Sequence, residues 1–173
     1  PNRPEFDIYA LIQPAREVGG DFYDFFFTDE EHLCFAVGDV SDKGVPASLF
    51  MAVTTTLIRA GTDAGIEPDE IVRRVNNELC RENDSCMFVT LLCGILNIKT
   101  GEIRYANAGH NPPLVVRRNE APVYLEGKKG QAVGVIEDMR ISQQEMGLAS
   151  GDFLFMYTDG VTEAINGRDE MFS

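Results

Sequence analysis

Leu33-Cys34-Phe35-Ala36-Val37-Gly38-Asp39-Val40-Ser41-Asp42-Lys43-Gly44-Val45-Pro46-Ala47 carries the chain from one kind of structure into another. Residues 33–37 form an unbroken apolar run of strand length. The run stops at Gly38 and Asp39, and small or polar residues follow as far as Gly44. From residue 45 the period changes. Residues 45–60 are rich in Ala, Leu, Met and Val, Pro46 suits a first helical turn, Ser41 or Asp42 could cap it, and Gly61 ends it. Apolar residues lie almost all round this helix, so it is expected to be largely buried.

Working outward, residues 22–27 pair with 33–37 as a hairpin closed by the acidic turn Asp29-Glu30-Glu31. Residues 6–12 read as an earlier strand, with Ile8, Ala10 and Ile12 on one face. Downstream, a second helix starts near Pro68. Ile71, Val75 and Leu79 make its apolar stripe, with Val72 beside it, while Arg73, Arg74, Asn77 and Glu78 face water. Strands return after Cys86: 87–98 and 101–108 as a hairpin around Lys99-Thr100-Gly101, then 114–117, 123–125, 140–146 and 153–157. Strands, two adjacent helices, then many strands is not an alternating βαβ order. It predicts an α+β fold with antiparallel sheets and helices on the sheet faces.

The 173 residues suit a single domain with a substantial core. The formal net charge of −13 disfavours nucleic acid and anionic membrane as partners, which counts against a nuclease. No apolar run reaches membrane-spanning length and no signal-peptide pattern opens the chain, so a cytoplasmic protein or domain without direct membrane insertion is expected. Cys34, Cys80, Cys86 and Cys93 show no Cys-x-x-Cys spacing, so zinc is disfavoured. Cys34 and Cys93 are expected to be buried thiols.

Three clusters place an acid where a strand would end in a turn: Gly19-Gly20-Asp21-Phe22-Tyr23-Asp24, Gly38-Asp39-Val40-Ser41-Asp42, and Tyr157-Thr158-Asp159-Gly160. Singly, each acid is as well read as a turn former or helix cap. Three Gly-flanked acids spread along the chain suggest a shared carboxylate site for a hard divalent cation.

These clusters, with Gly44-Val45-Pro46-Ala47, Met87-Phe88-Val89-Thr90-Leu91, Tyr105-Ala106-Asn107-Ala108-Gly109-His110-Asn111-Pro112-Pro113, and Gly151-Asp152 before Tyr157-Thr158-Asp159-Gly160-Val161-Thr162-Glu163, resemble the metal-dependent PPM-type serine/threonine protein phosphatases, in their bacterial SpoIIE/RsbU-like branch. The resemblance implies an αββα sandwich, two antiparallel sheets with helices outside. Family members usually continue into another helix and a last strand with an Asp-Asp pair, so a C-terminally truncated domain is expected, lacking one metal ligand. An uncovered sheet edge would invite self-association, so a homodimer is among the expected partners.

The resemblance further implies that Asp21 and Asp39 bind a pair of Mn²⁺ or Mg²⁺ ions with Asp39 bridging, that the Val40 backbone carbonyl completes one coordination sphere, and that Asp159 holds the other metal. Asp21, Asp39 and Asp159 are thus the expected catalytic residues. Such ions neutralise phosphate oxygens and acidify the attacking water. The implied substrate is a phosphoserine or phosphothreonine on a STAS-type anti-anti-sigma protein, with an N-terminal sensor or receiver domain in the full-length protein. The alternative is a catalytically inactive regulatory module of the same fold. Arg16 could hold the phosphate bidentately or pair with Glu17, the ion pair slightly ahead; Lys43 is a weaker phosphate contact. Asp24 is read as a hydrogen-bonding neighbour of the site, Asp42 as a solvated acid, and Thr158 and Thr162 as supporting groups. For His110 a hydrogen bond that orders its loop is favoured over proton transfer, and Asn107 has the same status.

Overall fold

The computed structural model describes residues 3–13, 19–81, 83–168 and 171–172. β1 (Phe22–Phe27) and β2 (His32–Val40) form the expected hairpin, with Phe25 opposite Phe35. α1 (Val45–Gly61) and α2 (Pro68–Arg81) follow, then β3 (Val89–Asn97) and β4 (Glu102–Ala108). β5 (Leu114–Val116), β6 (Val123–Tyr124), β7 (Gln143–Gly147), β8 (Phe153–Phe155) and the four-residue α3 (Asp159–Thr162) complete the order. Five strands make one antiparallel sheet in the order β1-β2-β3-β4-β7, and three make a second, β6-β5-β8.

Alternation along β2 and β3 sorts the side chains between two cores, because successive strand residues point to opposite faces. Cys34, Ala36, Leu91 and Cys93 join the cluster under the helices, with Ile58 of α1 and Ile71, Val72, Val75 and Leu79 of α2. Phe35 and Leu92 join the cluster between the sheets, with Ile103, Tyr105, Leu154 and Met156. Each fully buried aliphatic side chain of this kind contributes about 1.5–3 kcal/mol over its exposed state. The Phe35 ring lies across Gly94, its partner on β3, where a Cβ would collide with it. The predicted α+β antiparallel fold is thus present as a helix pair, a five-stranded sheet and a three-stranded sheet. Among the described residues the only helix beyond that pair is α3, so an outer helical layer over the second sheet is not seen there.

Three local expectations need correction. Residues 6–12 form no strand; a single bridge joins Arg3 to Phe6. Alternation at Ile8, Ala10 and Ile12 is a pattern only, and a strand needs a paired neighbour to satisfy its backbone. α1 is not largely buried: only Ala47, Thr54 and Ile58 are, while Val45, Leu49 and Val53 are 63, 64 and 51% exposed. The helix rests on the sheet and on α2 along one side and offers the other to solvent. Its N-terminus lacks a side-chain cap as well. Gly44 occupies the cap position at φ 82, with Pro46 in the first turn. The Ser41 hydroxyl instead accepts the Phe88 N–H at 2.9 Å, tying the loop to β3, and the Asp42 carboxylate accepts the N–H of Lys43.

α2 matches its expected faces: Ile71, Val72, Val75 and Leu79 are buried, and Arg73, Arg74 and Glu78 are exposed. Asn76 is buried too. It donates to the Ile136 carbonyl at 2.8 Å and accepts the Gly134 N–H at 3.0 Å, which staples α2 to the segment between β6 and β7. Cys34 and Cys93 are free and fully buried, as expected. No helix among the described residues is long and apolar enough to cross a membrane.

Candidate metal centre

Antiparallel order decides which residues meet. The start of β1, the end of β2, the start of β3 and the end of β4 share one end of the five-stranded sheet. Asp21 immediately precedes β1, Asp39 is next to last in β2, and Thr90 stands opposite Asp39 on β3. β8 of the second sheet leads into α3, whose first residue is Asp159. Carboxylate oxygens of Asp21, Asp39 and Asp159 lie within 4.8 Å of one another. Three residues spread over most of the chain therefore converge on one point.

Small residues make the convergence sterically feasible. A Cβ on Gly20 would stand 2.9 Å from the Val40 carbonyl oxygen and 3.0 Å from its Cβ. Glycine at 20 thus lets the approach to Asp21 run against the end of β2, close to the Val40 carbonyl. A Cβ on Gly160 would make only ordinary contact with the Asp21 carboxylate, at 3.6 Å, so the close constraint is at Gly20.

The electrostatics fit a cation. Burial raises the Asp39 carboxyl to about 7, and the charges of Asp21 and Asp159 push it the same way, as does a hydrogen bond with Asp21; Lys43 opposes them weakly. Like charges at this spacing disfavour joint ionisation unless a positive ion sits among them. An all-oxygen donor set of three carboxylates suits a hard ion such as Mg²⁺ or Mn²⁺. The residues present fit such an ion.

The other predicted residues fall as follows. Asp24 faces the helix layer, where Arg59 of α1 binds its carboxylate through two hydrogen bonds of 2.6 Å each. Asp42 is exposed, at φ 75. Lys43 is exposed and close enough for its charge to act on Asp39. The Thr162 hydroxyl donates to the Asp159 carbonyl at 3.2 Å, and Thr158 precedes α3 without capping it by its side chain. Arg16 lies outside the described residues.

His110 is 2% exposed, in the turn after β4. Its backbone N–H donates to the Asn107 side-chain carbonyl at 2.8 Å, and its carbonyl accepts from the Asn107 amide at 3.2 Å, with Gly109 at φ 76 making the turn. Its Nδ1 lies 3.0 Å from the Thr90 hydroxyl. Burial lowers the imidazole to about 4, against the Tyr157 carbonyl and the Asp159 charge, so the ring is neutral at pH 7. Thr90 and the Tyr157 carbonyl are the participants that sequence reading left without a role. Met87-Phe88-Val89-Thr90-Leu91 was recognisable as a motif, but nothing in it says that Thr90 pairs with Asp39.

Comparison with known proteins agrees with this architecture. The fold is that of the PP2C phosphatase domain of SpoIIE from Bacillus subtilis, at a TM-score of 0.69 with 20% identity over 83% of this chain and 42% of that one. The RsbU and RsbW domains of Rv1364c from Mycobacterium tuberculosis match at 0.77, with 28% identity over 88% of this chain and 42% of that one. A sequence profile described as Stage II sporulation protein E (SpoIIE) matches residues 29–173, and the chain belongs to that family. Phosphoserine phosphatase RsbU of Bacillus subtilis (strain 168) is 31% identical over 94% of this chain and 48% of its own length. The chain spans less than half the length of the curated relatives it matches.

Proposed function

We propose that this chain is the catalytic domain of a metal-dependent phosphoprotein phosphatase that hydrolyses phosphoserine or phosphothreonine. The observation that carries the reading is the meeting of Asp21, Asp39 and Asp159 within 4.8 Å, in a domain of the SpoIIE family. Relatives named phosphoserine phosphatase, RsbU and RsbP of Bacillus subtilis, support the reaction class. RsbX of the same fold has been seen in complex with magnesium, which supports the choice of ion.

In this reading Asp21, Asp39 and Asp159, with the Val40 carbonyl, would hold two Mn²⁺ or Mg²⁺ ions. When bound, such ions neutralise the phosphate oxygens and lower the pKa of the attacking water. The protein supplies the rest. Asp39 would give up the proton that its surroundings favour in order to serve as a ligand, Gly20 leaves room beside Asp21, and β2 and the residue entering β1 carry two of the carboxylates. The overall charge of −13 repels a phosphorylated partner, so local positive charge must reverse the sign at the site. Lys43, near Asp39, is one contributor on the protein side.

The substrate proposed is a phosphorylated STAS-type anti-anti-sigma protein in the cytoplasm, and an N-terminal sensor or receiver domain would control the reaction in the whole protein. The pairing of RsbU and RsbW domains in Rv1364c supports a place in partner-switching regulation. The test is release of phosphate from a phosphoserine-bearing STAS protein with Mn²⁺, Mg²⁺ or EDTA. Release that needs the metal and is lost in Asp39→Asn supports the assignment. Equal rates for the Asp39→Asn protein and the parent refute it.

A further inference from the structure

His110 is a buried titratable group to which the reaction above assigns nothing. Its loop does not need the ring. The two Asn107 hydrogen bonds and the positive φ of Gly109 already close the turn through backbone atoms of residue 110. The imidazole spans two other elements. On one side Nδ1 meets the Thr90 hydroxyl at 3.0 Å, and Thr90 stands opposite Asp39 in the β2–β3 register. On the other side is the Tyr157 carbonyl, two residues before Asp159. Nε2 is buried and has no hydrogen-bond partner of normal geometry among the described residues. A buried orphan of this kind costs about 1–3 kcal/mol, so a plain apolar residue would suit mere packing better. If Thr90 gives its proton to Nδ1, the ring carries its own proton on Nε2, which suits an acceptor such as the Tyr157 carbonyl.

Asp39 lies on β2 of the five-stranded sheet, whereas Asp159 opens α3, which follows β8 of the second sheet. Among the described residues, the backbone carbonyl of Asp159 is held within its own turn, by the Glu163 N–H at 2.7 Å and the Thr162 hydroxyl. We propose that His110 is a positioning residue of the metal centre: its ring braces the β2–β3 end that carries Asp39 against the turn that carries Asp159, and so sets the separation of two ligands. The inference rests on the metal-dependent reading of the site.

The test compares the full chain with His110→Leu, His110→Gln and His110→Asn. Mn²⁺ affinity is read by isothermal titration calorimetry, metal-free stability by thermal melting in EDTA, and the Mn²⁺ concentration for half-maximal phosphate release in parallel. His110→Leu is expected to weaken Mn²⁺ binding about 10–100-fold, the usual effect of losing a residue that orients a ligand. Its rate should recover at high Mn²⁺. His110→Gln, which can place an N–H near the Nε2 position, should retain more affinity than His110→Asn. Parental Mn²⁺ affinity in His110→Leu overturns the proposal. So does a loss of melting temperature and affinity together in all three variants, with no advantage for Gln. Should His110→Leu fail to fold, the Gln and Asn variants decide: affinity kept in Gln and weakened in Asn supports the brace, and equal affinity in the two overturns it. A parent chain that takes up no Mn²⁺ refutes the metal-centre reading itself, and the brace with it.

Discussion

Arg59 binds the carboxylate of Asp24 through two parallel hydrogen bonds of 2.6 Å, and its guanidinium lies 4.7 Å over the Phe26 ring. Asp24 is three residues past Asp21, on β1, and its side chain is 11% exposed. The pair locks α1 onto β1 close to the metal centre. Bidentate geometry at a nearly buried carboxylate makes it worth more than an ordinary surface ion pair. Arg59→Ala is expected to destabilise the domain by about 1–2 kcal/mol in urea denaturation. Arg59→Lys should recover only part of that, because lysine cannot supply the planar fork.

The raised Asp39 carboxyl gives a pH dependence of known sign. Its folded value of about 7 lies above the ordinary carboxylate range. Between about pH 4 and 7 the folded state therefore holds the proton that the unfolded state has lost, and stability falls as pH rises. The contribution is present at acid pH and gone above pH 7. Metal-free protein should consequently melt higher at pH 5.5 than at pH 7.5 through this group. Asp39→Asn should flatten that slope and raise metal-free stability at pH 7.5 by on the order of 1 kcal/mol, screened by the solvent at a half-buried site. The same substitution should abolish Mn²⁺ binding. Melting curves in EDTA across pH, beside calorimetric Mn²⁺ titrations, check both halves.

Gly20 is held to glycine by contact. A Cβ there would press on the Val40 carbonyl and side chain. Gly20→Ala is expected to cost about 1–3 kcal/mol as an overpacking change. Because Val40 neighbours Asp39 and Gly20 neighbours Asp21, Mn²⁺ affinity should fall as well. Gly61, in α1 with open space around its Cβ position, provides the control: Gly61→Ala should leave Mn²⁺ affinity within error and should not lower stability.

Asn76 offers the opposite dissociation. It is fully buried and bonds Gly134 and Ile136 from α2. Asn76→Leu strands those two backbone groups and should destabilise the domain by about 2–4 kcal/mol. Mn²⁺ affinity measured well below the melting temperature should be unchanged, since Asn76 contacts none of the three acids.

The hairpin, the helix pair and the antiparallel class were legible because each rests on local regularity. The run at 33–37, the 71/72/75/79 stripe of α2 and the Gly and Pro punctuation are chain-neighbour patterns, and hydrophobic periodicity reports them directly. The strand expected at residues 6–12 failed because alternation does not supply a partner. The buried α1 failed because apolar content does not say how many neighbours a helix has. The cap assigned to Ser41 or Asp42 failed because the Ser41 hydroxyl is taken by the N–H of Phe88, the residue before β3.

What the sequence determined by itself was which acids could serve, since glycines beside Asp21, Asp39 and Asp159 are a chain-local signal that a family resemblance can sharpen. Only the tertiary structure decided that those acids meet, and that His110 and Thr90 stand next to them. The reason is sheet topology. Antiparallel order brings the ends of β1 to β4 together, and the stacking of the second sheet delivers Asp159 to the same place, relations between residues 120 positions apart that no local pattern records.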